Sequence, residues 1–506
     1  MNDHGLHQAD AQHVSPQDAP SGDATGGLKG AAVTSFVWAF LGLIGNRAVV
    51  FVTTLILARL LVPEDFGTVA AALVVLGFVN VVLDLGLGAA IVQEQAEGYG
   101  GRVDTAFTTH LCLSTVATGG LVVSSPWLAE ALGIADDFEI LQILALSVVL
   151  RSLGQIHEAL MRRDLMFRQS TVVSFVQAIV RLAVSIALAV SGAGAWSLVG
   201  GVLASTSIAT VAYWIVVPYR PRLRIQRIEL ASLMRFGAFV TLTKFLSAVV
   251  ADADYIFIGR ELGAVLLGFY VIAFRLPELL IENVLNVFSS VAFPVLSRAR
   301  SMEKDQLRRV VVQALTVVTL FGFTVGAGLA IVSQDTVGLL FGSKWEASAV
   351  PMSILAVSVG IGSIGYAVGD LYLAINKPEI ALWIIGAMVV PKLVALYVAS
   401  SEGVVAVAWV HLVTTAIFSL THLTVARRIV GLQFRDIAGA LRGPLVSAAA
   451  ITITTVPLLT AMSPGVLRLA IIVAVGTVAA TVGFVADRSM WTLVRGLVGN
   501  VRPQRT

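Results

Sequence analysis

Residues 66–92 read FGTVAAALVVLGFVNVVLDLGLGAAIV, a long apolar stretch with a single charged side chain, Asp84. Lipid tails cannot hydrogen-bond a polypeptide backbone, so an apolar segment of about 20 residues or more crosses a bilayer as a helix. Similar stretches fill most of the chain between residues 31 and 487. The sequence therefore predicts an all-α, polytopic membrane protein with about 14 transmembrane helices.

The predicted spans follow one another with short gaps. They are 33–60, 66–92, 104–125, 138–160, 170–190, 195–217, 236–258, 267–293, 310–333, 350–374, 379–399, 403–425, 444–461 and 467–486. Composition agrees with this interpretation, because only 13% of the 506 residues are charged, whereas soluble domains have about 25%. The single cysteine, Cys112, excludes a disulfide framework and a cysteine-rich metal site.

The basic residues between the spans lie almost entirely in every second gap. With the N-terminus inside, the inner segments carry 24 of the 34 lysines and arginines, and the outer gaps carry only Arg260, Lys344 and Arg468. The positive-inside rule then predicts that both termini are cytoplasmic. The regular alternation also favours an even number of spans.

A short match between distant segments indicates an internal repeat. Arg59 lies at the end of the first span and Gly67 at the start of the second. Arg260, just after the seventh span, and Gly268, at the start of the eighth, match them at the same offset of 201 residues. Six helices lie between the matched positions, so the repeats are predicted to be parallel. We expect Arg59 and Arg260 to anchor helix ends. The predicted divisions are a disordered cytoplasmic tail at 1–30, an N-lobe at 31–217, a basic linker at 218–235, a C-lobe at 236–426, a terminal helix pair at 444–487 and a cytoplasmic tail at 488–506.

Polar side chains recur at helical spacing within three of the spans. An ionisable group in a span is costly unless it faces water or a partner, and helical spacing places such groups on one face. The stripes are Ser147, Arg151, Gln155, Glu158 and Arg162; Ser174, Gln177, Arg181 and Ser185; and Arg275, Glu278, Glu282, Asn286 and Ser289. They predict a hydrated cavity between two lobes. The alternative is polar contact between helices, with Arg151–Glu158 and Arg275–Glu278 as internal pairs.

The charges divide these residues into two candidate sets. The N-lobe spans have a net positive charge, and an arginine fork suits phosphate oxygens. The anion-binding candidates are Arg47, Arg151, Gln155, Gln177 and Arg181. The C-lobe spans are net acidic, and desolvated carboxylates can exchange protons near neutral pH. The candidates for cation coupling or for a polar cavity wall are Asp84, Lys244, Asp252, Arg275, Glu278, Glu282 and Asn286; of Asp252 and Asp254, at most one faces a shared cavity directly. No cofactor or metal site is predicted.

Several segments together carry a resemblance to a known family. They are LARLLVPEDFG at 57–67, DLGLG at 84–88 with AIVQ at 90–93, FPVLSR at 293–298 and LFGSKW at 340–345. In this order they resemble the Wzx-type polysaccharide biosynthesis flippases of the multidrug/oligosaccharidyl-lipid/polysaccharide exporter superfamily. The similarity covers most of residues 31–430.

This resemblance implies a V-shaped, MATE-like transporter in the bacterial inner membrane, with two six-helix lobes plus a terminal pair. Such proteins flip undecaprenyl-pyrophosphate-linked oligosaccharide to the periplasmic leaflet through a cationic cavity. The implied coupling is to a gradient of H⁺ or Na⁺ rather than to a bound cofactor. The implied partners are the lipid-linked oligosaccharide, membrane lipids and, as a candidate, a polysaccharide polymerase, with no nucleic acid. The net acidic C-lobe departs from a uniformly cationic cavity.

Two other classes of function remain to be distinguished. A drug/cation antiporter of the same superfamily would use the acidic C-lobe as its primary site. A membrane enzyme would need a sizeable polar loop with catalytic carboxylates, but the longest outer gap, about 334–349, is short. We therefore expect a transporter and not an enzyme. A scaffold is equally disfavoured, since a scaffold has no use for charges at the centre of a membrane.

Overall fold

The computed structural model describes residues 45–84, 91, 100–299 and 303–486, with backbone alone for 231–240, 291 and 482–486. Within these ranges every regular element is a helix, and eleven helices are long and apolar enough to cross a membrane. The predicted fold class is confirmed. The count of 14 spans stays a prediction, and both predicted tails lie outside the described residues, as do most of the motifs at 84–88 and 90–93.

Six helices make up the N-lobe. They are α1 (45–60), α2 (Pro63–Asp84), α3 (Gly101–Ala131), α4 (Phe138–Arg163), α5 (Phe167–Val190) and α6 (Trp196–Val216). Helix α3 packs against α4, and α5 packs against α6. The threonines of α3 do not interrupt the helix, because Thr105 and Thr108 bond to carbonyls one turn back, at Gly101 and Asp104.

The C-lobe begins with a run of helix much longer than one span. Its helices are α7 (Arg227–Pro277), continued by a π-helical turn (Glu278–Glu282) into α8 (Asn283–Ala299), then α9 (Lys304–Ile331), α10 (Ala349–Ala374), α11 (Glu379–Ser400) and α12 (Val404–Val430). The two predicted spans at 236–258 and 267–293 lie on either side of Gly263, whose non-helical backbone divides this run into two helices. The φ of Gly263, 83°, lies in the left-handed region that glycine adopts readily.

A terminal pair, α13 (Phe434–Ala461) and α14 (Val466–Ala486), follows the C-lobe. Helix α13 starts at Phe434 rather than at the predicted residue 444. The physical reason is a capping box, in which the side chains of Gln433 and Asp436 each bond to the other's backbone. Arg308 of α9 also pairs with Asp436 at 2.6 Å. Helix α13 packs against α9, so the pair is joined to the C-lobe.

The predicted linker between the lobes is extended before it enters α7. Every second backbone N–H of this stretch donates to a side chain of α3. The bonds are Arg222 to Asp104 (3.2 Å), Arg224 to Thr108 (3.1 Å) and Gln226 to Thr105 (3.1 Å). The linker is thus fixed along the first turns of α3 instead of forming a loose loop.

The lobes meet closely where α2 crosses α7. A Cβ at Gly67 would lie 1.8 Å from the carbonyl oxygen of Ala264, and a Cβ at Gly268 would lie 1.9 Å from that of Pro63. Both positions therefore require glycine. Pro63 and Ala264 have the same offset of 201 residues as the two glycines. The contact is reciprocal, as a two-fold axis relating the predicted repeats requires.

The segment 333–348 closes over this glycine contact from the C-lobe. Trp345 is fully buried and donates from Nε1 to the carbonyl of Ala58 at 2.8 Å. Lys344 donates to the carbonyls of Arg59 (3.1 Å) and Leu61 (2.5 Å). Arg59 in turn donates from Nε to the carbonyl of Leu340 at 3.1 Å. We call residues 58–67, 264–268 and 333–348 together the end seal.

Candidate functional site

A cavity of about 150 Å³ lies between the lobes, next to the end seal. Helices α1, α2, α5 and α6 line it from the N-lobe, and α7 lines it from the C-lobe. Its walls are mostly apolar, and its polar lining residues are Thr53, Thr54, Arg181 and Arg275. None of the described residues that line it is a carboxylate, so the guanidinium groups of Arg181 and Arg275 are the charged groups of this part of its wall.

Arg181 enters this cavity from α5. Its side chain is only partly exposed, and it makes no hydrogen bond or ion pair with any residue that the structure describes. The positive charge of Arg275 lies close enough to interact with it. An arginine with free donors beside a second positive charge attracts an anion with several oxygen atoms. Arg181 belongs to the predicted anion-binding set, whereas Arg275 was placed in the other set.

Arg275 is held by both lobes. Its Nε and Nη2 each lie 3.3 Å from the hydroxyl oxygen of Thr54 on α1, and its Nη1 lies 3.1 Å from Glu278. Thr54 uses its own proton to bond to the carbonyl of Val50, so its oxygen accepts from Arg275. The suggested internal pair Arg275–Glu278 is present. Thr54 was not singled out in the sequence, because a lone threonine in an apolar span carries no recognisable pattern.

A second polar contact between the lobes lies at the far end of α2. Asp84 pairs with Lys244 of α7 at 2.5 Å, and it accepts a hydrogen bond from Gln155 of α4 at 3.0 Å. The charges of Asp84 and Arg151 both act on the buried His110 of α3. Asp84, Gln155 and Lys244, which were predicted as site residues, therefore come together at this contact.

The predicted carboxylates of the C-lobe also lie near one another. The charges of Asp252, Glu278 and Glu282 interact, and the two glutamates are the first and last residues of the π-helical turn. Turns of this kind are frequent at functional sites. Asn286, one turn further along α8, is exposed. Glu278 pairs with Arg275 and interacts with Asp252, so Arg275 connects these carboxylates to the cavity.

Other predicted residues do not join the cavity. Arg47 and Arg151 are exposed, and Gln177 is partly exposed one turn from Arg181 on α5; none of the three lines the cavity. The suggested pair Arg151–Glu158 does not form, because Glu158 bonds to Arg162. Arg162 is one turn from Glu158, whereas Arg151 is two turns away. Arg162 also lies nearer the end of α4, where its long side chain stays solvated.

The structure buries a group of ionisable residues that sequence reasoning did not select as a site. Asp254 of α7, Lys392 of α11 and His411 of α12 come together in the C-lobe. One signal was available in the sequence. Asp254 has no basic residue three or four positions away, so its partner had to come from another helix.

Comparison with known proteins gives the family of this chain. A family model described as "Polysaccharide biosynthesis protein" matches residues 56–351, more than half of the chain. The succinoglycan biosynthesis transport protein ExoT of Rhizobium meliloti is 28% identical over 324 residues, which are 64% of this chain and 65% of that protein. This chain thus matches slightly less than two thirds of the length of ExoT. The lipopolysaccharide biosynthesis protein WzxC of Escherichia coli is 23% identical over 70% of each chain.

Among solved structures, the lipid II flippase MurJ in an inward closed conformation has the same fold. The TM-score is 0.71 with 12% identical residues, over 89% of this chain and 97% of that one. The structural likeness extends beyond the family match, into the terminal helix pair. The predicted resemblance is confirmed, and the chain belongs to the polysaccharide biosynthesis protein family.

Proposed function

We propose that this protein is a flippase that moves a lipid-linked oligosaccharide, with a pyrophosphate or a related anionic linkage, across the membrane by alternating access. The observation that carries the proposal is the cavity between the lobes, where Arg181 and Arg275 meet and no described lining residue is a carboxylate. Two guanidinium groups from different lobes can each bind oxygen atoms of one pyrophosphate. Binding of the anion by both arginines would then favour the closure of one lobe against the other.

The lipid tail and the glycan determine where the whole substrate can lie. A polyprenyl tail is apolar and remains in the bilayer, while the glycan needs the hydrated space beside Asp84, Gln155 and Lys244. The membrane is proposed to be the bacterial inner membrane, with both termini cytoplasmic. The end seal would then be periplasmic, and substrate would enter from the opposite, cytoplasmic end. Asp252, Glu278 and Glu282 are proposed to take part in cation coupling.

The test replaces the two arginines in cells that depend on this protein for polymer export. We expect Arg181→Ala and Arg275→Ala to abolish export and to leave lipid-linked oligosaccharide at the cytoplasmic face. Arg181→Lys is expected to retain part of the activity, because lysine keeps the charge but loses the fork. Arg428→Ala, which removes an exposed arginine at the end of α12, is the matched control and should export normally.

Polymer export at the wild-type level in Arg181→Ala, with normal expression, would refute the arginine site. A drug/cation antiporter is the rival function, and it predicts a different phenotype. Deletion of the gene would then raise susceptibility to organic cations while polymer export continued. The family match and the curated relatives support the flippase, since their names refer to polysaccharide biosynthesis.

A further inference from the structure

The C-lobe contains a buried charged group whose residues are not among those that line the cavity. Asp254 is fully buried, and its carboxylate accepts three hydrogen bonds. The donors are the Tyr270 hydroxyl (2.6 Å), His411 Nδ1 (3.1 Å) and the backbone N–H of Tyr255 (3.1 Å). Because an ionised carboxylate can only accept, His411 carries its proton on Nδ1. Nε2 is then the basic atom of this imidazole.

Lys392 of α11 supplies a positive charge to the same group. Its side chain is buried and donates to the backbone carbonyl of Val250, one turn before Asp254 on α7. It lies close enough to Asp252 and Asp254 for the charges to interact. A buried ammonium needs such partners, since an isolated charge is very costly in a medium of low dielectric constant. Lys392 therefore places its amino group beside the two aspartates, which favour its charged form.

We propose that Asp254, His411 and Lys392, which we call the buried triad, form the site that exchanges the coupling ion, and that this ion is H⁺ rather than Na⁺. The proposal rests on the proposed function, because it assigns the ion that drives it. A hard metal cation requires several oxygen ligands. Here protein donors occupy the oxygens of Asp254, and the ammonium of Lys392 repels a second cation. A proton needs only one lone pair.

The exchange itself is a simple binding step. A proton from the aqueous phase adds to the lone pair of His411 Nε2, and the imidazolium that forms keeps its Nδ1–H bond to Asp254. The same proton later leaves from Nε2, so no bond to carbon or oxygen is made or broken. Asp254 stabilises the charged imidazole, whereas Lys392 opposes it. The balance between these two neighbours keeps the site exchangeable.

A continuous series of charges connects this triad to the cavity. Asp252 interacts with Asp254 and Lys392 on one side and with Glu278 on the other. Glu278 pairs with Arg275, which bonds to Thr54 of the N-lobe. Tyr255 and Tyr270 are the other titratable groups that face the triad from α7. A positive charge on His411 thus changes the electrostatic field at the residue that joins the lobes.

The test uses the full-length protein in proteoliposomes, with a fluorescent polyprenyl-pyrophosphate oligosaccharide as the probe. A proton gradient is expected to accelerate wild-type translocation by about fivefold or more, as for a typical coupling free energy, and a sodium gradient is expected to have no effect. In His411→Asn, translocation should no longer be faster with a proton gradient than without one. His422→Asn is the matched control, because His422 is buried on the same helix and bonds to Tyr372 instead of to a carboxylate.

Acceleration by a sodium gradient, or an unchanged proton response in His411→Asn, would overturn the proposal. A second measurement needs no substrate. The thermal unfolding temperature of the purified protein should be the same in NaCl and in choline chloride, and a rise specific to Na⁺ would also overturn the proton assignment. Absence of any translocation by the wild type, with or without a gradient, would instead count against the flippase. The two failures are therefore distinguishable.

Discussion

The N-lobe and C-lobe touch at both ends of α2, and the two contacts are chemically different. At the end seal, Trp345 is fully buried and donates to a backbone carbonyl, and backbone atoms of the two lobes approach at Gly67 and Gly268. At the other end, the pair Asp84–Lys244 joins the lobes through two flexible side chains. The side chain of Lys244 is 50% exposed there.

This difference indicates which end opens more easily. Buried contacts to backbone acceptors must all be broken together, and each unpaired group left behind is costly. A partly exposed ion pair exchanges protein contacts for water at almost no cost. We infer that the end seal is the stable closed gate of this conformation and that the Asp84–Lys244 end separates first. Each of the variants Gly67→Ala, Trp345→Ala and Lys244→Ala weakens one of these two contacts between the lobes.

The largest effect is expected at the glycine contact. In Gly67→Ala, the new Cβ would overlap a backbone oxygen, so no change of rotamer can relieve the clash and the lobes must move apart. We expect export to be lost and the cavity to open toward the end seal. The measurement is labelling of Ala178→Cys by a membrane-impermeant maleimide, in a Cys112→Ser background because Cys112 is exposed.

Gly77→Ala is the matched control for this experiment. It lies on the same helix, and a Cβ there meets nothing within 4 Å. This variant should export polymer and should keep Ala178→Cys protected. Equal labelling of the Gly67 and Gly77 variants would mean that the close approach of the lobes does not close the cavity.

A smaller effect is expected at Trp345. Trp345→Ala removes the hydrogen bond to Ala58 and the edge contacts of the ring with Phe66 and Phe269. Truncation of a buried tryptophan typically costs about 3–5 kcal/mol. We therefore expect a lower unfolding temperature and faster labelling of Ala178→Cys from the end seal. Trp383→Ala is the control, because Trp383 is 77% exposed; a similar loss in both variants would contradict a special role for Trp345.

The fold could be predicted from the sequence because its main determinants are local. Apolar length, helical spacing and the position of basic residues are properties of neighbouring residues in the chain. The repeat offset even identified Gly67 and Gly268 as equivalent positions. It did not show that these glycines face each other, because an offset carries no information on how the repeats pack.

The candidate site was less predictable for the same reason. Spacing along α5 and through α7 into α8 selected Arg181 and Arg275, but only the packing of helices from both lobes around one cavity brings the two residues together. Arg151 has equally good spacing on α4 and is exposed. The bond between Asp254 and His411 joins residues 157 positions apart. Neither residue belongs to a polar stripe, so helical spacing could not connect them.

The smallest effect is expected at the Asp84–Lys244 pair. An ion pair with this exposure contributes about 1 kcal/mol or less, so Lys244→Ala should change the unfolding temperature far less than Trp345→Ala does. It should also increase labelling of Ala178→Cys in inverted vesicles, where the reagent reaches the opposite end. The exchanged pair Asp84→Lys with Lys244→Asp should restore slow labelling. Destabilisation as large as that of Trp345→Ala, or faster labelling from the end-seal side, would reverse the order of the two gates. A loss of export at normal stability that the exchanged pair did not restore would instead indicate a direct role of Lys244 in cation coupling or in the polar cavity wall, the two roles predicted from the sequence.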